Sequence, residues 1–188
     1  MPPKFKFTRD EITSAALNLT CKAGPDGLTA RALAKELGCS VKPIFGLFKN
    51  MEEVQGAVLS AAQNLYLSFL AEDMAAGKYP PYKASGMGYI RFAREEKELF
   101  KLLFMCDRRG EPLKPGKEMD VIIPLIMKNT GLTREKAELF HLEMWIFVHG
   151  IASMIATSYL DWEMETVSEV LTDAYMGLKA RFCGEAGN

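Results

Sequence analysis

Histidine is scarce in this chain, two residues in 188, and the four cysteines stand apart from one another. Cys21, Cys39, Cys106 and Cys183 show no close-paired ligand spacing, and neither His141 nor His149 is near one in sequence. With that pattern neither a zinc site nor a disulfide framework is expected, and no metal or cofactor. No Ser/His/Asp or Cys/His arrangement comes with a supporting turn motif, and no glycine-rich phosphate loop follows a strand, so an enzyme is not expected. No apolar stretch reads as long and uncharged enough to span a bilayer, and MPPKFKFTRDE lacks the apolar core of a signal peptide. The expectation is a cytoplasmic protein with no membrane partner.

What is present points to a helical globular chain. Apolar residues make up 48% and charged residues 25%, enough to bury a large core without a low-complexity run. The overall charge of −1 hides an asymmetry. Residues 1–50 hold eight Lys and Arg (Lys4, Lys6, Arg9, Lys22, Arg31, Lys35, Lys42, Lys49) against four Asp and Glu; the remainder holds fifteen against twenty. A basic head on an acidic body suits a phosphate-facing end, although a solvated charged surface reads the same way.

The most informative stretch is Leu28 to Val54, LTARALAKELGCSVKPIFGLFKNMEEV. Thr29 is placed to cap a helix whose apolar positions Ala30, Leu33, Ala34 and Leu37 follow helical spacing. Gly38 then offers the left-handed residue that closes a helix. Ser40 is expected to cap a second helix, Val41 to about Phe48, burying Val41, Ile44, Phe45 and Phe48. Asn50, with Glu53 three residues on, opens a third in capping-box fashion. Upstream, Thr8-Arg9-Asp10-Glu11-Ile12 is a capped start whose Ile12, Ala15, Ala16 and Leu19 can pack on the pair. Helix, glycine turn and second short helix spell a helix-turn-helix, or a plain helical hairpin; the spacing alone leaves both open.

The order TRDEITSAALNL, a glycine-containing link, LTARALAKELGCSVKPIFGLF and KNMEEV resembles the DNA-binding domain of TetR-family transcriptional regulators, over about the first fifty-five residues. A weaker likeness, at Trp145 to Gly150 (WIFVHG), is to a Trp-His-Gly segment in the ligand-binding half of one TetR subgroup. The resemblance implies double-stranded operator DNA and a small-molecule effector as partners, and a ligand-released repressor acting as a homodimer. Three positions depart from it. Where the family usually has Tyr, His and Lys, this chain has Phe45, Leu47 and Met51, each replacing a phosphate-contacting group by an apolar one. In such a motif the start of the second helix faces base edges and flanking groups hold phosphates. The DNA-contacting candidates are therefore Thr29, Arg31, Ser40, Lys42, Pro43, Gly46 and Lys49, with Lys42 foremost and Lys4 and Lys6 in reserve.

Beyond the motif the pattern is helical throughout, giving an all-α chain of about nine helices. A long helix runs from Met51 to about Met74, ended by Gly77 and Pro80-Pro81. Others are expected over Tyr82–Glu96, where Gly86 and Gly88 suggest close packing or an irregular turn, then Glu98–Met105, Lys117–Asn129 with Pro124 inside, Thr133–Tyr159 and Glu163–Phe182. Residues 107–116 read as a loop. The last two helices are expected to pair with their symmetry mates as a four-helix bundle. Methionine and aromatics concentrate in this half; ordinary core packing accounts for any one of them, but as a group they suit an adaptable apolar pocket. Its candidates are Tyr66, Phe69, Met87, Ile90, Phe104, Trp145 and His149. The division expected is 1–52 for DNA binding and 53–188 for ligand binding and dimerisation. The alternative is a helical small-molecule or partner-binding protein with weakened DNA binding.

Overall fold

The computed structural model describes residues 7–106 and 119–184. Among these residues the chain forms nine α-helices, a short 3-10 turn at Pro25–Gly27, and no strand. The helices are α1 (Arg9–Ala23), α2 (Ala30–Glu36), α3 (Lys42–Leu47), α4 (Met51–Ala75), α5 (Pro81–Glu95), α6 (Lys97–Phe104), α7 (Met119–Thr130), α8 (Arg134–Ala156) and α9 (Met164–Gly184). The expected start of α7 at Lys117, the loop at 107–116 and the reserve cations Lys4 and Lys6 lie outside the described residues.

Two compact units emerge, Met1–Leu67 with Glu96–Cys106, and Ser68–Glu95 with Asp107–Asn188. The first is built on a core of Ile12, Ala16, Leu28, Leu33, Ala34, Ile44, Phe48, Val54 and Val58, drawn from α1 to α4 and the link before α2. α6 joins it through Leu102, which packs against that core. Its entries are capped as the sequence demands. Thr8 and Glu11 form a reciprocal capping box on α1, and the Thr133 hydroxyl caps α8 in the second unit.

In the second unit α5 packs along α8, with α7 and α9 beside α8. Met87, Ile90, Phe92, Ile126, Phe140, Met144, Ile151 and Leu171 are buried there. Gly88 is where α5 meets the end of α4. A Cβ at that position would stand 3.1 Å from the Phe69 carbonyl oxygen and 3.3 Å from the Leu70 Cα, so a side chain would force the backbones apart. Gly86 has ordinary room. Arg91 fastens the same junction, with Nε 3.1 Å from Asp73 and its guanidinium 4.2 Å over the Phe69 ring.

Three local expectations need correction. α3 starts at Lys42 with Val41, not Ser40, in the N-cap position and without a side-chain cap; Pro43 in the first turn supplies a preset φ and has no N–H that needs a partner. Val41 and Phe45 are not buried. They lie 37% and 42% exposed, since a six-residue helix turns only one side, that of Ile44, onto the core. Finally, α8 does contain an 18-residue window of mean hydropathy 1.5 and is long enough to cross a bilayer. Its buried residues Ala137, Phe140, Met144, Val148, Ile151 and Ala152 form a core stripe within the second unit.

Candidate nucleic-acid interface

α2, the turn and α3 present one exposed edge of the first unit. The Thr29 hydroxyl accepts from the Ala32 N–H at 3.2 Å, satisfying a free donor at the start of α2. At the other end Gly38 takes φ +61°, and the Gly38 and Cys39 N–H groups donate back to the Lys35 and Ala34 carbonyls at 3.1 and 2.9 Å. This tight exit ends α2 and leads the chain into α3. Ile44 and Phe48, 0% and 1% exposed, pin α3 to the core, and its opposite side stays open.

α3 is braced at its far end by Arg9. Its guanidinium donates to the Leu47 carbonyl at 2.6 Å and to Glu53 at 2.9 Å, and lies 4.0 Å from the Phe48 ring centroid. The Glu53 carboxylate also accepts the Lys49 N–H at 2.6 Å, while the Asn50 side chain accepts the Glu53 N–H at 2.9 Å. The Lys49 N–H and the Arg9 side chain hold the Glu53 carboxyl below its usual range. Asn50 thus caps α4 as expected, and only the reciprocal half of the capping box moves by one residue, from the Asn50 N–H to the Lys49 N–H.

The basic head divides into used and available charge. Arg9 and Lys22 are engaged internally, Lys22 with Glu36 at 2.8 Å. Arg31, Lys35, Lys42 and Lys49 are exposed and, among the described residues, carry no ion pair. Ser40 and Gly46 are exposed beside Lys42, and Pro43 is partly so. All seven DNA-contacting candidates thus lie between the N-cap of α2 and Lys49, two residues beyond α3, and Thr29 is occupied as that cap. Lys35 was legible only as part of a charge count. The three apolar replacements part company: Leu47 and Met51 pack against the core, while Phe45 faces solvent.

The seven ligand candidates are divided between the two units. Tyr66 and Phe104 belong to the first unit, where their rings meet edge to face at 5.1 Å. The other five belong to the second. Phe69 meets Phe92 at 5.3 Å, and Met87 and Ile90 are buried. Trp145 is 40% exposed and stacks on His149 at 4.9 Å. A shallow open depression along α4, lined by Leu59, Ser60, Gln63 and Asn64, involves none of the seven.

His149 and His141 sit on α8, each paired through Nδ1 with a tyrosine of α5. Tyr89 Oη is 2.8 Å from His149, and Tyr82 Oη is 3.1 Å from His141. Burial pushes both imidazoles below their ordinary range and raises the Tyr82 phenol, so a neutral ring hydrogen-bonded to a neutral phenol is the consistent state. In the unfolded chain both rings take up protons near pH ~6.5. The stability these neutral rings confer is complete above that pH and is lost as pH falls toward the lower folded values. The melting temperature is expected to drop between about pH 7 and pH 5, and His141→Gln with His149→Gln to flatten that dependence. An equally steep profile in the double variant would place the pH sensitivity elsewhere.

Comparison with known proteins agrees with this architecture. A family model described as the tetracyclin repressor-like C-terminal domain matches residues 82–175. An uncharacterized HTH-type transcriptional regulator of Mycobacterium tuberculosis is 27% identical over 187 residues, spanning 93% of this chain and 81% of the relative. In fold, the chain is similar to the crystal structure of a TetR-like transcriptional regulator from Rhodococcus sp. RHA1, with a TM-score of 0.64 and 15% identity across the whole of both chains.

Proposed function

Because the chain belongs to the TetR family of transcriptional regulators, we propose that it is a cytoplasmic repressor that grips a pseudo-palindromic operator as a homodimer. A small, largely apolar effector releases it. The observation that carries the DNA-binding reading is the exposed edge of α2 and α3, with Arg31, Lys35, Lys42 and Lys49 free of ion pairs among the described residues. Lys42 is assigned to a base edge and Lys49 and Arg31 to phosphates, with Ser40, Pro43 and Gly46 lining the groove face. The functional division proposed is 1–52 for DNA and 53–188 for effector and dimer contacts. Phe69, Met87, Ile90, Trp145 and His149 are the effector candidates of the second unit. α4 carries residues of both units, which makes it the element on which effector binding would act.

A second reading, a helical binding protein with decayed DNA contacts, is favoured by one observation. Leu47 and Met51 are committed to the core and cannot reach a phosphate as polar groups would. Selection from a random duplex library separates the two. The repressor reading expects enrichment of a two-fold site whose half-sites lie ~34–36 Å apart or a small multiple of that. Its affinity should fall with log[salt] at ~0.9 per neutralised phosphate. Weak binding with no enriched sequence would favour the second reading.

A further inference from the structure

Among the described residues up to Asn50, Val41 and Phe45 are the large apolar side chains left exposed. The core does not use them, because Ile44 and Phe48 fill the buried side of α3. The Phe45 N–H donates to the Val41 carbonyl at 3.2 Å, so the two side chains stand one turn apart on the same face. Ser40, Lys42 and Gly46 are exposed around them and Lys49 follows. Two apolar groups rimmed by unpaired cations match a polyanion that displays methyl groups. Phe45 has no hydroxyl to offer a phosphate, and Val41 has no polar side-chain atom at all. On the major-groove edges of base pairs the apolar feature is the thymine C5-methyl.

Resting on the DNA-binding reading, we infer that Val41 and Phe45 are specificity-determining residues that pack on thymine methyl groups and so fix T·A pairs within each half-site. The apolar replacement at Phe45 then has a use: a phosphate contact is exchanged for sequence reading. Lys42, between the two, supplies the polar part of the same readout.

The test begins with duplexes enriched from a random library by the full-length protein. Each thymine is then replaced by uracil, which pairs identically and lacks only the methyl. At one or two positions per half-site the affinity is expected to fall about fourfold, the worth of one buried methyl-sized group, and about fifteenfold when both half-sites are changed. Phe45→Ala or Val41→Ala should bind more weakly and no longer distinguish thymine from uracil at the position that residue covers. Both side chains are exposed, so the melting temperature should hold and report any loss of fold. Tight binding that tolerates uracil everywhere would overturn the inference and leave the DNA-binding reading standing. A uracil penalty undiminished in both variants would overturn it as well. Failure to enrich or bind any duplex would overturn both readings. If Phe45→Ala instead changed the protein's mass in solution without DNA, the patch would belong to a second copy of the chain, not to thymine.

Discussion

Leu142→Glu combined with Ile146→Glu is expected to halve the particle mass, from twice 21.0 kDa to 21.0 kDa, and to abolish tight operator binding. Leu139, Leu142 and Ile146 are 47%, 50% and 57% exposed on α8, in a stripe at helical spacing distinct from the buried stripe of the same helix. A helix apolar on two sides has its second side matched to something, and in a two-fold dimer that is the same stripe of the partner. Burying the exposed half of each such side chain is worth roughly 0.8–1.5 kcal/mol, so the four replaced in a dimer forfeit roughly 3–6 kcal/mol. Four like charges brought together out of water add to that loss. Each recognition helix would then meet its half-site alone, giving up an avidity of ~10²–10⁴. The protomer should keep its helicity, because neither residue fills its core. Light scattering and gel retardation read the two effects separately. A double variant of unchanged mass would remove α8 from the interface.

The helix count, the capped starts at Thr8 and Thr29, and the glycine exit at Gly38 were legible because each depends on residues close together in the chain. What the sequence hid was long-range. Arg9 read as free positive charge, but its partners are the Leu47 carbonyl and Glu53, some forty residues away. Phe45 read as core because it is aromatic and periodic with Val41; only the packing of α3 decides which side of so short a helix is covered. α6 read as one more helix of the large half, whereas Leu102 packs on the N-terminal core. Periodicity reports that a face is apolar, not which surface meets it. For the same reason Trp145 and His149, adjacent on α8, could be paired from spacing, while Tyr66 and Phe104 fell in a different unit from the remaining ligand candidates.

The second large effect concerns charge at the DNA face, where two exposed lysines are expected to behave differently. Lys42 opens α3, and at the start of a recognition helix a side chain reaches base edges. Lys42→Ala should cost ~1–3 kcal/mol per base contact, and the dimer makes each contact twice, so affinity for the enriched operator falls roughly 30-fold to 10⁴-fold. Discrimination against other duplexes should shrink with it, because nonspecific binding draws on phosphates that Lys42 does not hold. Lys49 follows α3, and its N–H is already tied to Glu53, which fixes its backbone but leaves its ammonium without an ion pair among the described residues. Lys49→Ala should weaken every duplex alike and reduce the salt slope by ~0.9 per phosphate contact, ~1.8 in the dimer. Neither change should move thermal stability by more than ~0.5 kcal/mol, both side chains being exposed. Titrations of operator and random duplex at several salt concentrations resolve the two signatures. If Lys42→Ala weakened both duplexes equally, Lys42 would be a phosphate ligand and the base readout would have to come from the Val41 and Phe45 face.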